Sequence, residues 1–491
     1  MSIVDKVRDR LRSFLRMEPD GGRTVVIHED MDFDTRAFCN RLWYRGNAYE
    51  LDQFYSQVKD DTLRFWGARS TKGLEVRKIH SGLPKIIVNT LVNIILRDLN
   101  DIYISNGEQN SIWEKTAEEN KIDVLLSQAL RDTLVTGDGA FKISLDADMS
   151  KYPIVEWYPS EQVDFVYDRG RLAAVDFKDE IHCKNICYTL HQRYGFGYVA
   201  YSLTTKDGKK IDMTQLDETK DLQDVVFDKS FMLAVPFIIT PSDEWKGRGA
   251  SVFDGKSGNF DALDEAWSQW AQALRASRPT RYMPDRLVPR DENDGTPLKP
   301  NAFDNQYVQI GSDVSENAQN RIVLDQPTFP AEAYGATYST ALDLCLQGLI
   351  SPSTLGIDTK KLDNAEAQRE KEKTTLYTRN NIINAFSPVL KRLVETVIQA
   401  WYTAERRNVD DIDIDVTFGE YANPSFEAVV ETLSNPNTPM SIESKVDEMW
   451  GDSKDDEWKA EEVRRIKEQQ GIVTMEEPAL GKEVDTWQQN M

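Results

Sequence analysis

Apolar residues recur three and four positions apart from Met31 to about Asn100, through Phe38, Leu42 and Trp43 and later Ile87, Leu91, Ile94 and Ile95, and this period predicts helices. A further helix over residues 113 to 134 should end at Gly137 and Gly139, where the period changes to two. Between Phe141 and about Ile239 alternation dominates. EWYPSEQVDFVYDRGRLAAVDF carries alternating apolar residues on both sides of an Asp168-Arg169-Gly170 turn, a hairpin signal. ICYTLHQRY, GYVAYSL and FMLAVPFII predict further strands, and Asp207-Gly208 supplies a tight turn after the second of these.

From Gly249 the helical period returns. In NFDALDEAWSQWAQALRAS, Phe260, Leu263, Trp267, Trp270 and Leu274 form one stripe, which predicts a packing helix. Asp261, Asp264, Glu265 and Gln269 are expected on its opposite, solvated face. The stretch from Arg278 to Asp325 is rich in Pro, Asn and Asp and holds two short strand candidates, QYVQI and RIVL, so it reads as a small, loop-rich subdomain. Pro330 suits the first turn of a returning helix with Tyr334, Tyr338, Leu342, Cys345, Leu346 and Leu349 as its stripe. SPSTLGIDTKKLDN interrupts it, and a third helix, capped by Asp363 or Asn364, should run to about Glu405. At 1.5 Å per residue that is on the order of 60 Å, with a kink expected at Pro388. A strand, DIDVTF, precedes a helical tail in which residues 441–491 hold 7 Lys+Arg against 14 Asp+Glu, and Gly471 is expected to close EEVRRIKEQQG. The class is α+β.

Composition narrows the function. Over 491 residues, 40% hydrophobic content is that of a folded chain, and 59 Lys+Arg against 82 Asp+Glu give a net charge of −23. A surface that grips nucleic acid needs clustered cations, so contact with DNA should be slippery. Cys39, Cys183, Cys187 and Cys345 are too few and scattered for a secreted disulfide framework, which points to a reducing compartment. MSIVDKVRDRLRSFLRM is amphipathic but lacks the apolar core of a signal peptide. It is expected to dock on protein, with a membrane surface as the alternative. No apolar run is long enough to span a bilayer.

Candidate chemistry is sparse. Residues 250–257, ASVFDGKS, fit the loose form of a phosphate-binding loop, but no buried strand leads directly into them and Val252 and Phe253 occupy the cradle. Cys183, Cys187 and His191, with His182, invite a zinc reading. A helix would bring them together, but the context reads as strand, where four residues span roughly 13 Å, so no metal is expected. His28, His80, His182 and His191 sit in no catalytic motif. Neither an active site nor a cofactor is expected. Two basic islands stand out: Arg275, Arg278, Arg281, Arg286 and Arg290, with Asp285 the one acid among them, and Lys360 with Lys361 in the turn before the long helix.

The order helix, loop-rich subdomain, returning helix, exposed turn and long Pro-containing helix resembles the core of tailed-bacteriophage portal proteins of the siphophage type. FDALDEAWSQW, GLISPSTLGID and NAEAQREKEKTTLYTRN carry the likeness, with NRLWYRGNAYELDQFY and IVNTLVNIILRDL upstream. The specific part is Asp261 to Trp401; the extreme N-terminus and the chain after about Tyr421 carry little. The resemblance implies a helical/β wing over 1–257, stem helices at 258–276 and 330–350, and a small α/β clip over 277–329. A tunnel loop would follow at 351–364, then the long kinked helix and a strand returning to the wing over 365–420, and a helical crown over 421–491. It also implies a non-enzymatic ring, usually of twelve subunits, at one capsid vertex of a virion assembled in the host cytoplasm. Such a ring passes double-stranded DNA for packaging, retention and ejection. Its expected partners are the terminase large subunit, head-completion or adaptor proteins, and the major capsid and scaffolding proteins. Lys360 and Lys361 become candidate DNA contacts, and Arg278, Arg281, Arg286 and Arg290 candidate clip contacts. A minor head or adaptor protein and an NTP-driven packaging motor are the alternatives.

Overall fold

The computed structural model describes residues 31–57, 64–69, 71, 75–183, 186–228, 231–301, 306–311, 322–357, 365–407, 412–419, 441–450 and 456–469. These fall into two compact units. One takes in Met1–Asp358 and Thr374–Gly419, the other Thr359–Lys373 and Glu420–Met491.

The first unit opens with α1 (Phe33–Arg45), α2 (Ala48–Gln57) and α3 (Leu83–Arg97). Asp32 caps α1 by accepting from the Thr35 amide at 2.8 Å, and Gly46, at φ 70°, ends it. The helix expected over 113–134 is two, α4 (Gly107–Asn120) and α5 (Ile122–Thr136), because Lys121 between them adopts φ 51°. A strand absent from the sequence expectation, β1 (Leu99–Ile104), precedes them and pairs antiparallel with the strand at Ile414–Phe418.

Beyond α5 come β2 (Asp138–Ser144), β3 (Ile154–Pro159), β4 (Val163–Asp168), β5 (Arg171–Cys183), β6 (Ile186–Gly195), β7 (Tyr198–Thr205), β8 (Lys210–Ile211), β9 (Val225–Val226) and β10 (Ala234–Ile238). β4 to β8 form an antiparallel meander, with β9 on the other part of β7's edge, while β2 lies between β10 and β3 in a separate sheet. The predicted turn joins β4 to β5: Arg169 (φ 49°) and Gly170 (φ 81°) both take the left-handed conformation that a two-residue turn with the right twist needs. β2 is buried on both faces. Phe141 and Ile143 enter the main core, and Ala140 joins a second core with Tyr158, Val163, Val175, Phe177 and Tyr194 under the meander. A doubly covered strand has no reason to alternate, and every residue of DGAFKIS but the last is buried.

Next are α6 (Ser257–Ala276), β11 (Thr280–Pro284), β12 (Tyr307–Ile310), β13 (Val323–Asp325) and α7 (Ala331–Leu346). β11 was not expected; it lies between β12, to which it is parallel, and β13, to which it is antiparallel. α8 (Ala365–Ala404) and β14 (Ile414–Phe418) follow. Ile382, Phe386, Leu390, Leu393, Val394, Val397 and Ile398 bury one face of α8 in the main core, where Phe386 stacks on Phe237 at 5.2 Å. Pro388 lies inside α8, which continues as one helix on both sides of it, and it is solvent-exposed. The carbonyl it leaves without a donor is that of Asn384, itself exposed, so water can satisfy it.

In the second unit α9 (Ile442–Trp450) and α10 (Asp456–Gln469) are joined by a Glu443–Lys467 ion pair and by Trp450 against Trp458, 5.2 Å between ring centroids. Among the described residues no helix is long and apolar enough to cross a membrane.

Candidate functional site

The elements singled out from sequence converge on a helix hairpin, α6 and α7, that carries the small β12-β11-β13 sheet between its two arms. The helices run antiparallel. Lys256, at the start of α6, donates to the Leu344 and Gln347 carbonyls at the end of α7 (3.0 and 2.7 Å), and Asn259 adds a bond to Leu344 at 3.2 Å. At the other end Trp270 stacks on Tyr334. Rings join the arms at Trp270–Tyr338 (6.1 Å) and Trp267–Tyr338 (5.7 Å), and Phe329 stacks on Tyr334 at 5.7 Å within the returning arm. Two helices alone cannot enclose an aliphatic core, and large rings supply contact area plus about 0.5–1.5 kcal/mol per favourable pair.

The five residues of the α6 stripe therefore have two fates. Phe260 and Leu263 are fully buried in the main core, Phe260 against Trp43 (6.0 Å) and Phe253 (5.7 Å). Trp267 is 39% exposed, Leu274 54%, and Trp270 half-buried. The distal half of the hairpin stands outside the main core, with apolar surface uncovered on both arms.

The solvated face expected at Asp261 and Asp264 is a correction: both are buried, and with Ser268 they form a polar stripe docked on the segment 64–81. The cause is backbone accounting. That segment has no helix or strand among its described residues, so its N–H groups need side-chain acceptors. Asp261 accepts from the amides of Phe65 (2.8 Å) and Trp66 (3.2 Å), and Ser268 Oγ from that of Ile79 (2.9 Å). Asp264 accepts from the Ser81 amide (2.8 Å) and Trp66 Nε1 (3.1 Å). Burial outweighs these donors and pushes the Asp264 carboxyl up to about 7. His80 Nδ1 accepts from the Gly82 amide at 2.7 Å, which leaves the proton on Nε2, 4.0 Å from Asp264. Burial pushes this imidazole down to about 4.

The hairpin is rooted on a second polar joint. Arg248 grips Asp138 with two bonds (3.0 and 2.9 Å), donates to the Ser160 and Val163 carbonyls (both 2.7 Å), and lies 3.8 Å over the Phe33 ring. Arg36 covers the same ring at 4.7 Å and binds Asp254 at 3.1 Å. Between the two joints Gly137 and Gly249 meet backbone to backbone. A Cβ on Gly249 would fall 2.1 Å from the Gly137 carbonyl oxygen.

The phosphate-loop lookalike is fully employed in this root. Ser251 Oγ donates to the Val135 carbonyl at 2.5 Å, Phe253 is buried, Ser257 Oγ accepts from Arg64, and Lys256 closes α7 as described. A Lys256→Ala variant is expected to lose about 1 kcal/mol, as removing a cation from a helix C-terminus does, with no change in ATP binding. A nucleotide-binding signal in the native chain that the variant abolishes would show the lysine to be a phosphate ligand instead.

Of the arginine island, Arg281 lies on β11 and Arg286 in the turn after it; both are exposed, and neither makes an ion pair among the described residues. Arg290 is held by the Asp285 carboxylate at 3.1 Å and the Gly295 carbonyl at 3.1 Å. Arg278 is exposed just past the end of α6. Lys360 and Lys361 lie outside the described residues. Those of the preceding turn that are described are tied to α8, where Thr375 Oγ1 accepts from the Ser351 amide (2.9 Å) and bonds Thr354 Oγ1 (2.8 Å).

No family model and no curated protein matches the chain. Among solved structures it is similar to the neck of a native gene transfer agent (GTA) particle computed with C12 symmetry, at 11% identity and TM-score 0.41 over 75% of this chain and 90% of that one. It is also similar to the virion of the native particle, at 11% identity and TM-score 0.42 over 90% and 98%. The neck of the empty particle computed with C6 symmetry gives 12% identity and TM-score 0.39 over 74% and 90%.

Proposed function

We propose that the chain is a portal subunit, one of about twelve that close a ring at a capsid vertex and pass double-stranded DNA. The observation that carries this reading is the α6–α7 hairpin. It holds a small sheet between its arms, leaves apolar and aromatic surface open on its distal half, and returns through a turn to the long α8. In a ring, the stems of neighbouring subunits would cover that surface. A net charge of −23 per subunit suits a channel wall that repels phosphate and lets a duplex slide. Arg281 and Arg286, exposed on the sheet end, would meet the terminase large subunit or head-completion proteins. Lys360 and Lys361 would touch DNA transiently from the tunnel loop. Wing and crown would face the major capsid and scaffolding proteins, and the chain itself would catalyse nothing.

Electron microscopy of the purified protein tests the reading: rings with a central hole are expected, and a compact monomer persisting at high concentration would exclude it. In the same system, replacing both lysines by alanine should weaken packaging or DNA retention. Reversing the charge at Arg281 and Arg286 should weaken motor binding. Unchanged behaviour removes the corresponding assignment.

A further inference from the structure

We propose that Glu180, His182 and Cys187 form a binding site for a zinc-class divalent cation on the outer face of the β5–β6 hairpin. Distance along one strand argues against a metal here, but the hairpin turns the chain back on itself. His182 and Cys187 are direct cross-strand partners, and Glu180 stands two residues before His182 on the same face. Alternation separates this face from the other. Ile181, Cys183 and Tyr188 pack with Leu190 and Leu203 in a small core, so Glu180, His182 and Cys187 point outward.

One ligand atom from each of the three lies within 4.8 Å of the others, and Glu180 Oε2 is 3.8 Å from His182 Nε2. Zinc bonds of about 2.0–2.3 Å in a tetrahedron set ligand atoms roughly 3.5 Å apart. Closing the site therefore takes about 1 Å of side-chain rotation, and Glu180 and His182 are exposed enough to make it. Competing cations on the face are engaged elsewhere: Lys178 with Asp164 (2.6 Å) and Arg193 with Asp176 (3.2 Å). His191, on the same face, bonds Thr204 at 3.0 Å.

The donor set selects the metal. One sulfur, one imidazole nitrogen and one carboxylate oxygen suit zinc and its neighbours, not calcium or magnesium, which take oxygen alone. Cys187 would bind as thiolate: the S–H proton leaves to solvent as the metal–sulfur bond forms, with no change of oxidation state. Three protein ligands leave a fourth position to water or an outside donor. The metal would clip β5 to β6 one pair from Cys183–Ile186, the last pair before the chain passes from one strand to the other.

Cobalt(II) serves as the probe. Reduced, chelator-stripped full-length protein titrated with Co²⁺ is expected to show a saturable thiolate-to-cobalt charge-transfer band in the near ultraviolet, bleached by Zn²⁺. Cys187→Ser should abolish the band. His182→Gln should raise the apparent Kd tenfold or more, and Cys183→Ser, on the core face, should leave the band in place. All three variants are checked for native circular dichroism, and Zn²⁺ should raise the melting temperature of the native chain but not of Cys187→Ser. No band in the native protein, a band that survives Cys187→Ser, or one that needs Cys183 overturns the proposal.

Discussion

An Arg248→Leu variant is expected to lose about 3–5 kcal/mol, the cost of removing one partner from a buried ion pair. Arg248 and Asp138 are 13% and 0% exposed in their side chains, so water cannot replace the guanidinium. Four acceptors lose this donor together: the Asp138 and Asp164 carboxylates and the Ser160 and Val163 carbonyls, and the Asp138 carboxylate keeps the Gly249 amide, at 2.7 Å. Burial already holds the Asp138 carboxyl above its ordinary value despite its partner. Without the partner it would rise further. A raised carboxyl contributes stability at low pH that is lost as pH rises, so the variant's deficit should shrink on acidification. Urea melts followed by tryptophan fluorescence measure it. Adding Asp138→Asn to Arg248→Leu should recover part of the loss, since the uncompensated charge goes. A deficit under 1 kcal/mol, or no recovery, would mean that the joint does not hold the hairpin root. Gly249→Ala should cost a comparable amount by a different route, overlap with the Gly137 backbone.

These joints were the part least visible in the chain, and the reason is distance along it. Arg248 finds Asp138 across 110 residues, and Asp261 and Asp264 find their donors across nearly 200. No local pattern marks an aspartate on an amphipathic helix as the acceptor for an irregular segment elsewhere. Local signals fared better because their physics is local. The Asp168-Arg169-Gly170 turn, the change of period at Gly137 and the Phe260–Leu263 part of the α6 stripe all stand where the sequence places them. Strands with remote or mixed partners escaped: β1 pairs with β14 at the far end of its unit, and β11, TRYMP, holds a proline and joins one parallel and one antiparallel neighbour. The stripe itself could not say that Trp267 and Leu274 lie beyond the core, since a helix pattern records which face is apolar and not what covers it. The zinc reading of Cys183, Cys187 and His191, with His182, was weighed on distances along one strand, whereas His182 and Cys187 pair across two.

The joint between α6 and the 64–81 segment should reveal itself through opposed responses to pH. For Asp264, burial raises the carboxyl from 3.8 to about 7, so its contribution is fully present below 3.8 and is lost as pH climbs to 7. For His80, burial lowers the imidazole from 6.5 to about 4, so its contribution is fully present above 6.5 and is lost as pH falls to 4. At 1.36 kcal/mol per unit these amount to about 4 and about 3 kcal/mol across nearly the same window. In the native chain the slopes largely cancel. His80→Gln keeps an acceptor for the Gly82 amide and removes one slope, so its stability relative to native should fall as pH rises from 4 to 7. Asp264→Asn removes the other, and its relative stability should rise over that interval. Asp261 adds to the raising of Asp264, while Tyr338 and Cys345, both raised by burial and by Asp264, stay protonated throughout the window and add no slope of their own. Differences from native at each pH subtract what other groups contribute. Profiles for both variants that run parallel to native would show that neither group titrates across the window, and the polar stripe of α6 would then be a pH-independent clamp.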